Sequence, residues 1–214
     1  LSDGEIYFLD EKVEEMTTNK SKKLGIRFIH QELNLINDLK VYENLFLSEE
    51  IKNKFGLLDK KTMIEKSKVI IDKLKININP EEIVEYLDMP QKQMIEIAKA
   101  LLFDSKLIIM DEPTTALTNK EIDSLFEIMK LLKSEGVSII YISHKMPELF
   151  SICDSYTVLR DGKFIQTGYF SDINEKKATE LLVGRTLVED ELESSFIADE
   201  VSLRVDNLCG KTFD

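Results

Sequence analysis

The chain has no tryptophan, two cysteines, four prolines and eight glycines in 214 residues. So little glycine and proline excludes collagen-like and low-complexity chains and points to long regular elements. Cys153 and Cys209 stand far apart, without metal-ligand spacing, so neither a disulfide framework nor a cysteine metal site is expected, and a reducing compartment fits. No apolar run approaches the roughly 18 residues of a membrane span, and the first residues lack a signal-peptide pattern. Any link to a membrane is therefore expected to go through a partner. Positive charge is outweighed: 28 lysines and arginines against 40 acidic residues leave a net charge of −12. An acidic chain is poorly suited to gripping nucleic-acid backbone, so no nucleic-acid partner is expected. What is present is 43% hydrophobic and 32% charged residues, enough for a packed domain of ordinary size.

The pattern of apolar residues gives the architecture. LSDGEIYFLDEKV reads as a turn and then a short strand, and LGIRFI (24–29) as a second short apolar run. From Asp59 to Ile76 the spacing predicts a helix with Met63, Ile70, Ile71 and Leu74 on one face. Asp88, Pro90 and Gln91 form a helix-start signal, a capping box with proline in the first turn. Met94, Ile97, Ala98, Leu101 and Leu102 make that helix's expected buried stripe. Leu107–Met110 reads as a buried strand. Glu121–Ser134 reads as an amphipathic helix with Ile122, Leu125, Phe126, Met129 and Leu132 inward, ended by Gly136. VSIIYI (137–142) is expected to be another buried strand, and Asp161-Gly162 to turn a hairpin. Alternating strands and helices predict an α/β domain with a mostly parallel sheet and an antiparallel edge hairpin.

The chemistry sits where apolar strands meet charge. In LIIMDEPTTALT (107–118), Asp111 and Glu112 follow a strand directly. A strand-end Asp can hold Mg²⁺, which takes few carboxylates and completes its shell with water and phosphate oxygens. A Glu beside it can orient or deprotonate an attacking water. A strand ending in an acidic turn gives the same residues without chemistry. Ser143-His144 ends the next strand, and in a parallel sheet that end faces the same crevice. His144 could donate to a γ-phosphate and position the water, or merely cap a helix. Gln31 follows the strand LGIRFI and could reach a metal or a water.

Taken together, LIIMDEPTTALT, IIYISHK, YTVLRDGKFI and HQELNL resemble the ATP-binding cassette (ABC) family. HQELNL, QMIEIAKAL, ELLVGR and the Thr118 that stands where other cassettes have Asp are most similar to the ATP-binding subunits of monosaccharide importers. The resemblance implies a P-loop NTPase-like nucleotide-binding domain with a helical subdomain at about 32–103. It implies Gln31 as the Q-loop glutamine on the metal side, Asp111 as the metal-side aspartate, Glu112 as the catalytic base and His144 as the switch histidine. ATP and Mg²⁺ are the implied cofactors. The implied partners are transmembrane permease subunits, a second cassette and, indirectly, a sugar-binding protein, at the cytoplasmic face of the plasma membrane.

The sequence departs from the family pattern twice. First, it holds no G-x-x-x-x-G-K-[ST] phosphate loop. Gly210-Lys211-Thr212 has Val205 where the earlier glycine is required. In the family that loop precedes the segment beginning here as SDGEI. The resemblance therefore implies residues 1–187 as a first cassette without its first strand and loop helix, 188–200 as an acidic linker, and 201–214 as the opening strand of a second cassette. Such a chain alone is expected to bind ATP weakly, because the loop's N–H groups and lysine neutralise phosphate charge. Second, Leu87-Asp88-Met89-Pro90-Gln91 stands where the family has LSGGQ, the segment that grips the γ-phosphate of the opposing cassette. A like-charge contact there costs about 4 kcal/mol at roughly 4 Å and an effective dielectric near 20, and Pro90 removes a donor. The alternative is that Asp88 only caps its helix. Beyond transport, the open readings are an ABC ATPase of DNA repair or translation, and a catalytically dead truncated module.

Overall fold

The computed structural model describes residues 4–184. Arg185, Cys209, the expected linker at 188–200, the expected strand at 201–214 and Gly210-Lys211-Thr212 lie outside the described residues.

A three-stranded parallel sheet carries the architecture: β3 (Ile26–Ile29), β4 (Leu107–Asp111) and β5 (Ser138–Ile142), in that order. Ile26 pairs with Leu107, and Leu107 with Ser138, so all three strands run level and end together. The connection from β4 to β5 is α5 (Asn119–Ser134), whose Leu125, Met129 and Leu132 are buried as its spacing predicts, while Ile122 and Phe126 stay half-buried. Between β3 and β4 the chain is helical: α2 (Val41–Leu45), α3 (Lys60–Lys73), a 3₁₀ turn at Val84–Tyr86, and α4 (Met89–Leu101). One apolar core joins these helices to β3, β4 and α5 through Leu45, Phe46, Ile95, Ile97, Ile108 and Met110, all at most 1% exposed.

Local chemistry explains the element ends. Asp59 caps α3 by accepting the Thr62 N–H at 3.1 Å. Gly25 sits between α1 (Thr18–Leu24) and β3 with φ +76°, and a Cβ there would lie 3.2 Å from the Lys106 backbone nitrogen. Its carbonyl receives the N–H groups of Lys106 and Leu107, which fixes where β4 begins beside β3. Asp161 and Gly162 both have positive φ, as the hairpin between β6 (Ser155–Arg160) and β7 (Lys163–Tyr169) requires.

Five expectations need correction. The start is a hairpin, β1 (Ile6–Phe8) against β2 (Glu11–Val13), rather than one strand. Leu24 belongs to α1, which buries no residue and so left no apolar period to read. In α4, Leu101 and Leu102 are half-buried, because the helix ends there as the chain turns toward β4. The strand at 137–142 is not buried on both faces: Ile140 and Ile142 are 48% and 45% exposed. Its other face meets α5, where Tyr141 packs edge-on against Phe126. The β6–β7 hairpin forms its own two-stranded sheet and is not bonded to β5 among the described residues. A groove of 1130 Å³ separates the two, lined by β5, by α6 (Met146–Ile152), and by Tyr156 and Val158 of β6. The last described helix, α7 (Glu175–Val183), borders it through Ala178 and Leu182.

Candidate functional site

Because β3, β4 and β5 are parallel and end level, the residues just beyond them converge. Gln31 lies two residues past β3, Asp111 closes β4, Glu112 follows it, and His144 lies two residues past β5. Glu112 is the hub. Its Oε1 is 2.8 Å from His144 Nδ1, and its Oε2 accepts a hydrogen bond from Gln31 Nε2 at 3.4 Å. Two side chains 113 positions apart, Gln31 and His144, thus share one carboxylate. The Glu112 backbone has φ +46°, in the left-handed region that non-glycine residues rarely occupy. Its N–H donates to Ile142 O at 2.9 Å, so the turn is held by β5 itself. Strain of this kind persists only where surroundings enforce it, and it gathers at working sites. The His144 ring is 72% exposed, so its Nε2 side is open to a ligand.

Beneath this hub lies a polar cluster that sequence reading missed. Thr114, two residues after Glu112, is 1% exposed and donates its hydroxyl to Glu148 of α6, at 2.8 Å to Oε2. Tyr141 of β5 donates to the same oxygen at 2.7 Å. Lys145 lies 3.1 Å from Glu148 Oε1 and also donates to the Thr114 carbonyl at 3.3 Å. Burial first, and then the bond to Glu148, push the Tyr141 hydroxyl far above its ordinary pKa. The cluster ties the turn after Glu112 to the segment that carries His144. The only sequence signal for it was Glu148 standing four residues after His144.

Residues 87–91 form a separate unit. Asp88 Oδ1 accepts the Gln91 N–H at 2.8 Å, and Gln91 Oε1 accepts the Asp88 N–H at 3.0 Å, which closes the expected capping box. The Asp88 carboxylate serves its own helix, as in the capping alternative. Leu87 is buried, and Met89 is exposed beside Pro90 in the first turn. No hydrogen bond joins residues 87–91 to Gln31, Glu112 or His144 among the described residues. An indirect link runs through α4: buried Glu96 accepts the Asn34 N–H at 2.9 Å, three residues past Gln31. Asp88→Ala is expected to lower stability by about 1 kcal/mol through loss of the cap, and Asp88→Ser by far less. Urea midpoints of the two variants check this.

The site suits Mg²⁺ and a nucleotide phosphate. Asp111 makes no side-chain hydrogen bond among the described residues, and Gln31 keeps its amide oxygen free, since only its nitrogen is engaged. No group of three or more His, Cys, Asp or Glu side chains forms a closed metal cage there. One carboxylate plus one amide oxygen fits an ion that fills its shell with water and phosphate oxygens.

Comparison with known proteins places the chain in a family. A family model described as ABC transporter matches residues 1–115. The chain is 43% identical over 210 residues to a ribose import ATP-binding protein of Caldanaerobacter subterraneus subsp. tengcongensis, covering 98% of this chain and 42% of that protein. It is equally similar to a galactose/methyl galactoside import ATP-binding protein of Haemophilus influenzae, with 98% and 41% covered. The chain therefore spans less than half the length of these relatives. Among solved structures, it resembles the ADP conformation of an ATP-binding cassette of an ABC transporter (TM-score 0.69, 22% identity, 86% of this chain and 78% of that one). It also resembles a dimeric cassette in a post-hydrolysis state bound to ADP and Pi (TM-score 0.68, 21% identity, 79% and 74% covered). At such identities these structures support the fold.

Proposed function

This chain belongs to the ABC transporter family, and on that premise we propose that it carries the hydrolytic residues of an ATPase that powers monosaccharide import. The observation that carries the proposal is the shared carboxylate: Gln31 and His144 each hold one oxygen of Glu112 at the ends of three parallel strands. Glu112 is the base that takes the proton of an attacking water. His144 fixes the orientation of that carboxylate and presents its open side to a γ-phosphate. Gln31 senses the same group from the helical segment. Asp111, with the Gln31 oxygen, would hold Mg²⁺, which neutralises phosphate charge when bound. A phosphate loop G-x-x-x-x-G-K-[ST] is required beside these residues, and the 214 residues contain none.

The Glu96–Asn34 bond couples α4 to the segment after Gln31. Movement at residues 87–91, where an opposing cassette is proposed to bring its ATP, therefore reaches Gln31 through a rigid helix. The proposed partners are transmembrane permease subunits, a second cassette and a sugar-binding protein that delivers the solute. On the likeness to import ATP-binding proteins we place the chain peripherally at the cytoplasmic face. No helix among the described residues is long and apolar enough to cross a membrane. The sugar reading rests on the two importer subunits it resembles.

The sugar assignment has a direct test in cells. Introducing Glu112→Gln into the gene is expected to abolish uptake of at least one labelled pentose or hexose while amino-acid uptake continues. Unchanged uptake across a monosaccharide panel would refute it.

A further inference from the structure

Between α2 and α3 the chain makes a projecting turn, IKNKFGLLDKK (51–61). It is an ordered structure. Asn53 Oδ1 accepts the N–H groups of Phe55 and Leu57 at 2.9 and 3.1 Å, and Asn53 N–H donates to Leu57 O at 2.8 Å. Gly56 takes φ +77°, and Lys52 bridges to Leu58. Leu58 lines a small cleft with Tyr42, Phe46 and Met63, which anchors the base of the turn on the helical core. The tip points the other way: Phe55 is 88% exposed and Leu57 66%. Holding a phenylalanine so far into water is unfavourable, and nothing in the described chain covers it.

The charge around the tip runs against the rest of the molecule. Lys52, Lys54, Lys60 and Lys61 are all exposed. None of the four forms an ion pair with a described carboxylate. The two acids within the segment are hydrogen-bonded and feel Lys52 and Lys61 only beyond ion-pair distance, and Glu43 lines the same cleft as Leu58 and Lys60. Asp59 accepts from Thr62, and Glu50 accepts the Ser48 N–H. Within residues 50–61 the net charge is +2, against −12 for the whole chain.

We propose that this turn is a lipid-contacting tip, in which Phe55 and Leu57 enter the interface of an anionic bilayer while the four lysines meet its phosphates. An apolar wedge flanked by lysines is the composition that binds such surfaces, where apolar burial and charge attraction act together. The distant acidic residues oppose this little, since charges beyond about 8 Å are screened at physiological salt. Size argues against a protein partner. A stable protein interface covers about 800 Å² per side, more than one short turn offers, whereas a bilayer accepts single side chains. The tip would help keep a peripheral subunit oriented on its membrane without replacing its protein partners. The inference uses no nucleotide chemistry and stands apart from the proposed ATPase activity.

The absence of tryptophan gives a direct test. Phe55→Trp places a single indole at the tip, and the high exposure of Phe55 means the fold tolerates it. A matched far-ultraviolet circular dichroism spectrum checks that. With phosphatidylglycerol–phosphatidylcholine vesicles at physiological ionic strength, where the distant acidic residues are screened, the emission is expected to shift to the blue, and to return when salt is raised to about 1 M. With pure phosphatidylcholine it is expected to stay in place. In the same background, each Lys→Gln change at 52, 54, 60 or 61 is expected to weaken partitioning by about fivefold. Unchanged emission with anionic vesicles overturns the proposal. So does a shift of equal size on neutral vesicles, or one that needs membrane protein subunits in the vesicle, which would reassign the tip to a protein contact.

Discussion

Glu112→Gln is expected to lower ATP turnover by about 10²–10⁴-fold, the usual contribution of a positioned general base, while leaving nucleotide affinity in place. The measurement needs a nucleotide-competent chain. One is made by joining a strand–G-x-x-x-x-G-K-[ST]–helix segment ahead of Leu1. Glutamine matches glutamate in shape and can still accept from Gln31, which now donates to Oε2 at 3.4 Å. It cannot take a proton from water. Both Glu112 oxygens already have partners, so few other changes accompany the substitution, and the loss should fall on kcat with KM nearly constant. His144→Ala should act differently: the base remains but turns freely, and its orientation rather than its basicity is lost. A Glu112→Gln enzyme that keeps a tenth or more of wild-type turnover would show that another group takes the proton.

The second large effect is on stability. Glu148→Ala is expected to cost about 3 kcal/mol, because it strands the Thr114 and Tyr141 hydroxyls and the Lys145 ammonium around a largely buried hole. For a domain of this size that lowers the melting temperature by roughly 6–12 °C. Glu148→Gln, which keeps an acceptor for the two hydroxyls, should cost less. The same cluster predicts an alkaline response. The folded pKa of Tyr141 lies above its ordinary value of 10.0, so the fold favours the neutral phenol. That contribution is fully present below pH 10 and is lost as the pH climbs through and beyond it. Tyr141→Phe should flatten the fall in stability above pH 10. Equal melting temperatures for wild type and Glu148→Ala would mean that the cluster contributes nothing.

How much of this was legible in the sequence differs by the kind of interaction. Periodic apolar patterns read well. The faces of α3 and α5 are those their spacing predicts, since burial of a helix stripe is a local property of the chain. The capping box at Asp88–Gln91 was equally legible, because both partners lie within one turn. Gln31, Asp111, Glu112 and His144 were legible as strand-end residues, and parallel pairing then brought them together. Polar contacts across long separations were not. Thr114 and Glu148 lie 34 positions apart, and no periodicity relates them. The hairpin β1–β2 and helix α1 were missed because they bury almost nothing. The outward face of β5 was misjudged because VSIIYI is apolar throughout, and composition alone cannot tell which face meets α5 and which meets the groove.

The central claim is that these residues form a hydrolytic site that needs a phosphate cradle, which the 214 residues do not contain, and the signature segment of an opposing cassette. Phosphate release from Mg-ATP by the loop-completed chain tests it most directly. The account predicts steady turnover that depends on Glu112 and His144, and none from the 214-residue chain by itself. A completed chain that binds Mg-ATP tightly yet releases no phosphate, with both residues intact, would contradict it.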